Sequence, residues 1–142
     1  MSLFKDDQDV YETLGKLHAD IAADEELGAK FREADTIVRY EYSEPDSAIT
    51  VRLRPGEPIE VEFGDSETEP EVTMSMKADT AHGFWLGRVN ITVALARGEV
   101  KASGPVAKIL RLVPLAKPVF PIYKAQLQAQ GRTDLLEAAP AT

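Results

Sequence analysis

"AITVRLRPGEPIEVEFGDSETEPEVTMSMK", residues 48–77, decides how this 142-residue chain is read. Ile49, Val51 and Leu53 alternate with Thr50, Arg52 and Arg54. Ile59, Val61 and Phe63 alternate with Glu60 and Glu62, and Val72, Met74 and Met76 with Thr73, Ser75 and Lys77. Alternation in twos describes strands with one apolar and one polar face. Pro55-Gly56 suits the two central positions of a turn, and "GDSETEP" reads as a loop. Upstream, residues 37–42 are rich in β-formers and are followed by the turn Glu44-Pro45-Asp46-Ser47. The four segments predict an antiparallel meander whose apolar face needs a cover.

The period changes on both sides of this block. Residues 7–33 read as helical, with Val10, Leu14, Leu17 and Ile21 in one apolar stripe, a start capped by Asp6 or Asp7, and a second short helix from Asp24 through Phe31. After Lys77, Asp79 is expected to cap a helix over "TAHGFWLG"; "ITVALARG" predicts another, ended by Gly98. "EVKAS" predicts a fifth strand, and Gly104-Pro105 opens an apolar helix. Pro114, Pro118 and Pro121 predict that the following cover comes in pieces, the last running from about Pro121 to Gln130. The expected architecture is α+β: one domain over 1–142, folded over about 7–131, with a loose tail over 132–142.

Composition bounds the function. The chain is 44% hydrophobic and 28% charged, as globular domains are, and it contains no cysteine, which excludes disulfides, thiolate nucleophiles and cysteine-held metals from this sequence. A formal net charge of −8 argues against nucleic acid as a partner. The charge is unevenly spread. Residues 1–71 carry 7 Lys/Arg against 20 Asp/Glu, and residues 72–142 carry 9 against 4. No apolar run reaches the length of a membrane span. The opening "MSLFKDDQDV" has no basic stretch followed by an apolar one, so a cytoplasmic location is the expectation.

No catalytic motif stands out. There is no nucleophile elbow, phosphate-binding loop or dinucleotide fingerprint, and neither His18 nor His82 lies in a metal motif. No catalytic residue, metal or cofactor is expected. Asp79 and His82, three apart on one predicted helix, are the least poor candidates for chemistry; a surface histidine beside a capping aspartate is the plainer account. Apolar excess is the stronger signal. Phe84, Trp85 and Leu86 are consecutive, so one helix face cannot bury all three. Val106, Ile109, Leu110, Leu112 and Val113 cover more than one narrow stripe, with Lys108 and Arg111 on the remaining face. A chain of this size has little protein left to enclose such a helix. A cavity behind the sheet resolves the excess, with basic residues at its rim facing an acidic headgroup or an anionic membrane.

At "MSMKADTAHGFWLGRVNITVALARGEVKASGPVAKILRL", residues 74–112, the chain resembles the sterol carrier protein 2 family. The matching features are a strand, a helix with a bulky apolar centre, a link carrying Gly87 and Asn90, the "RGEVKASG" turn with Gly98, Lys101 and Gly104, and an apolar helix. The meander before and the helix after also fit, so the resemblance covers most of residues 7–130. It implies a five-stranded, mainly antiparallel sheet with helices on one face and an apolar tunnel between. It also implies non-catalytic binding and transfer of sterols, fatty acids, acyl-CoA or phospholipid. By position, Met74, Met76, Phe84, Trp85, Val106, Ile109, Leu110 and Val113 would line or gate the tunnel, with Phe120 and Tyr123 from its closing helix. Two departures stand out. The end "AAPAT" lacks the peroxisomal address animal members often carry, and the acidic first half is unlike the basic animal protein. An acidic, Ala-rich chain of this kind is expected from a bacterium, which favours an acyl lipid or other hydrophobic metabolite over a sterol. Transient membrane contact is the accompanying expectation. The competing reading is an interaction module, or a homodimer, built on the Phe84/Trp85 and Leu112/Val113 patch.

Overall fold

The computed structural model describes residues 2–141; the side chain of Val106 lies outside the described residues. Helix α1 (Asp7–Val10), a π-helical segment (Tyr11–Gly15) and α2 (Lys16–Ala23) follow one another, and α3 is Glu25–Arg32. The apolar stripe explains their burial: Val10, Leu14 and Leu17 are fully enclosed. Asp6 accepts the Asp9 N–H at the start, and Asp24 accepts the Leu27 N–H where α3 begins. Gly15, in the π segment, lies directly against the half-exposed Phe63 ring, which would have to shift for a larger residue. A Cβ there would stand 2.7 Å from the Phe63 ring.

The strands are β1 (Thr36–Ser43), β2 (Ser47–Leu53), β3 (Glu60–Phe63), β4 (Val72–Lys77) and β5 (Val100–Ser103), in spatial order β3-β2-β1-β4-β5. The expected four-strand meander is therefore corrected. β1, β2 and β3 do form one, but β4 pairs with β1, in parallel, and β5 lies antiparallel to β4. The β2–β3 hairpin serves as the crossover that a parallel pair requires. Side-chain chemistry accounts for the order. β3 carries Glu60 and Glu62 and suits an edge, whereas the apolar Met74 and Met76 suit a place beside the central β1. Register sets Val38 between Val51 and Val72, Tyr40 between Ile49 and Met74, and Tyr42 beside Met76. These side chains share the helix-covered face; Arg39, Glu41 and Glu62 take the other.

Helices α4 (Ala78–Trp85) and α5 (Ile91–Arg97) follow β4. Asn90 caps α5, and Gly98 ends it in the left-handed region. Asp79 is not the cap of α4: that position falls to Lys77, and Asp79 instead accepts the Leu3 N–H at 3.0 Å. Helix α6 (Val106–Ala116) continues through a short 3-10 turn (Lys117–Val119) into α7 (Phe120–Ala129). The cover does come in pieces, but Pro114 sits inside α6 rather than ending it, while Pro118 and Pro121 occupy first turns, where no N–H is needed.

The segment after residue 131 is also corrected. Thr133–Glu137 forms helix α8, and Leu135 is fully buried. Arg132 pairs with the carboxylate of Asp9. Burial alone would raise the Asp9 pKa, yet the Arg132 guanidinium and the Lys5 N–H bring it below the ordinary aspartate value.

Candidate functional site: an apolar cavity between sheet and helices

A cavity lies between the covered sheet face and the helices. Tyr40, Tyr42, Met74 and Met76 form its floor. Ala81, Phe84 and Trp85 of α4 form one wall, and Ile109, Leu112 and Val113 of α6 form the roof. Phe31 of α3 and Ile91 of α5 close the remaining sides. The cavity volume is about 30 Å³. The cavity is thus present but nearly closed.

Aromatic rings order its interior. His18, on α2, stacks on Tyr40 with centroids 5.2 Å apart and meets the Trp85 indole edge-on at 5.5 Å. Tyr40 stacks on Tyr42 at 6.3 Å. Burial holds the His18 imidazole neutral, pushing its pKa down to about 4, and raises the Tyr42 hydroxyl well above the ordinary tyrosine value. No Lys, Arg, Asp or Glu is among the residues that line the cavity.

A second, open cleft runs alongside and shares Phe84, Ile91 and Val113 with the cavity. Phe120 stands in this cleft, edge-to-face with Phe84 at 6.1 Å. Gly87, with φ of +79°, passes directly beneath it: a Cβ would lie 3.0 Å from the Phe120 ring. The α6 roof is fastened at its first turn by Lys108, whose ammonium reaches Glu71 at 3.2 Å and the Asp35 carbonyl at 3.4 Å. Arg54 pairs with the same Glu71 and with Asp35.

Of the ten residues singled out in the sequence, Met74, Met76, Phe84, Trp85, Ile109 and Val113 meet around the cavity. Phe120 stands outside, in the adjoining cleft. Leu110 points away and is 50% exposed. Tyr123 is fully buried behind the cavity, donating its hydroxyl to His82 Nδ1 at 2.8 Å. The Val106 side chain lies outside the described residues. The residues that sequence reasoning missed are Phe31, Tyr40, Tyr42, Ala81, Ile91 and Leu112. Tyr40 and Tyr42 carried a signal: they alternate on β1, and the parallel register sets them beside Met74 and Met76.

The Asp79/His82 pair does not form. Asp79 holds the Leu3 N–H, and His82 is enclosed rather than on the surface. His82 Nε2 lies 2.6 Å from the Leu135 carbonyl, an acceptor only, so Nε2 carries the proton and Nδ1 accepts from Tyr123. Burial lowers its pKa, partly offset by the bond to Leu135. The ring joins α4, α7 and α8 and offers no free nitrogen.

A mixed five-stranded sheet of this order, with helices over one face and a small apolar cavity beneath them, defines an α+β fold with a one-sided helical cover. The family model that matches the chain is the SCP-2 sterol transfer family, over residues 14–117. The chain belongs to that family. No curated protein matches it. Among solved structures, sterol carrier protein 2 from Yarrowia lipolytica, in its apo form, is similar at 15% identity and a TM-score of 0.60, over 73% of this chain and 87% of that one. Sterol carrier protein domain 2 of Helicoverpa armigera is similar at 16% identity and a TM-score of 0.60, over 75% and 84%. The ubiquinone synthesis protein UbiJ-SCP2 is similar at 18% identity and a TM-score of 0.56, over 74% and 90%. At these identities the likeness is one of fold.

Proposed function

We propose that the chain binds one hydrophobic ligand, an acyl lipid or similar metabolite, in the cavity between β1/β4 and α4/α6, without chemical conversion. The observation that carries this reading is an uncharged, largely aromatic and aliphatic lining inside a chain of the SCP-2 sterol transfer family. Space for a lipid tail opens when the α6 roof lifts. Its attachments suit such movement: one ion pair at its first turn, a hydrogen bond missing at Pro114, and a 3-10 turn at its end. The ligand enters through the cleft, past Phe84, Val113 and the Phe120 ring. Each buried CH₂ contributes about 0.8 kcal/mol, of which ordering of roof and ligand takes a large share, leaving affinity of micromolar order. Brief contact with an anionic membrane through the exposed Leu110 and Arg111 of α6 would bring the cleft to its ligand.

The test is titration of the purified protein with an end-labelled fatty acid, an acyl-CoA and a sterol, following Trp85, the chain's single tryptophan. Saturable changes in emission, with displacement of one ligand by another, are expected. A flat response to all three would remove the reading.

A further inference from the structure

Among the described residues, four buried side-chain polar atoms have no hydrogen-bond partner, and two of these belong to the row of rings under the cavity: the Tyr42 hydroxyl and His18 Nε2. A buried hydroxyl left unpaired is unfavourable, and native structures seldom keep one without a reason. Tyr42 is 5% exposed and lines the cavity directly. Its neighbours cannot pair with it as they stand. The Tyr123 hydroxyl, engaged with His82, is not within hydrogen-bond distance of it, and His18 lies beyond the Tyr40 ring. Tyr42 is thus a cavity-lining residue whose buried hydroxyl has no partner, in a lining that holds no charged side chain.

The charge around it narrows what it can receive. The chamber has no cationic lining residue, and Arg88 and Lys117 line the adjoining cleft rather than the chamber. Lys108 is committed to Glu71 and Asp35, while Arg39 faces the other side of the sheet and bonds Glu41 and Thr50. Burial keeps His18 from charging near neutral pH. An ionised carboxylate or phosphate brought to Tyr42 would lose its hydration and gain no counter-charge. An uncharged oxygen would lose far less and would satisfy the orphan donor.

We propose that the cavity selects a hydrophobic ligand carrying an uncharged hydrogen-bond acceptor, an alcohol or a ketone-type carbonyl, seated inward against the Tyr42 hydroxyl beneath the Trp85 indole. This rests on the lipid-binding reading above and specifies the ligand class within it: a neutral head enters first, and a charged head stays at the cleft.

The experiment compares decane, 1-decanol, 2-decanone and decanoate, each delivered from cyclodextrin, on the wild-type protein and on Tyr42→Phe near neutral pH. Calorimetry and Trp85 emission give the affinities. In Tyr42→Phe the alcohol and the ketone are expected to bind about two- to tenfold more weakly, the worth of one hydrogen bond, with decane unchanged. The infrared carbonyl stretch of bound 2-decanone supplies an independent reading. It should lie below its value in hexane when bound to the wild type and return toward that value in the variant. Equal affinities in both proteins, with an unshifted carbonyl, would overturn the inference while leaving lipid binding intact, and so would tightest binding of decanoate. Failure of all four to bind the wild type would bring down the lipid-binding reading and this inference together.

Discussion

Acidification from about pH 7.5 to about pH 5 should weaken the fold through one buried ring, and His18→Phe should remove that part of the loss. His18 is fully enclosed against Tyr40 and Trp85, and burial lowers its pKa from 6.5 to about 4. The unfolded chain therefore takes up the proton first as the pH falls. The stabilisation is complete above about pH 6.5 and is lost progressively down to about pH 4. For a shift of that size, the linkage relation gives a loss of about 2 kcal/mol by pH 5 and about 3 kcal/mol by pH 4. His82 acts in the same direction, so the quantity to read is a difference of differences. Urea unfolding of wild type and His18→Phe at the two pH values should show the wild type losing about 2 kcal/mol more than the variant. The carboxylates remain common to both proteins and cancel. Trp85 emission gives a second view, because the indole meets the His18 edge directly. Equal losses in the two proteins would refute the account of His18 as a histidine held neutral by burial.

Leu135→Ala should destabilise the protein by about 2–5 kcal/mol, because a fully buried leucine is replaced by a void; denaturant unfolding measures it, and a loss below about 0.5 kcal/mol would show that α8 is dispensable. Phe120→Ala removes the ring that stands at the cleft against Phe84, so stopped-flow mixing with an end-labelled fatty acid should show faster association and faster release, with little change in their ratio; unchanged rates would place entry elsewhere.

Four strands were legible because alternation in twos is written residue by residue, and the fifth also appears where "EVKAS" was read as a strand. Their order was not legible. Alternation tells which face a side chain takes but not which strand lies beside it, and only the contrast between Glu60/Glu62 on β3 and Met74/Met76 on β4 hinted at edge and interior. That error hid half of the cavity floor: Tyr40 and Tyr42 enter the site only through the parallel pairing of β1 with β4. On the helical side, Phe84, Trp85, Ile109 and Val113 were readable as apolar side chains in excess of one stripe. Leu110 belongs to the same excess and faces outward, since the stripe that α6 buries runs through Ile109, Leu112 and Ala116. Burial of α8 could not be read from "LLEAAPAT". It depends on His82 and Asp9, which are remote in sequence and meet it only in the folded molecule.

The tie between Arg132 and Asp9, and that between the Leu135 carbonyl and His82, also constrain when the molecule can form. The first helix cannot complete its polar contacts, nor α4 its hydrogen bonds, until residues 132–135 have left the ribosome. The amino-terminal helices must wait, with Val10 and Leu14 lacking part of their final surroundings, while more than a hundred residues are made. Contacts of such long sequence separation slow folding, and greasy helices left waiting are natural targets for chaperones.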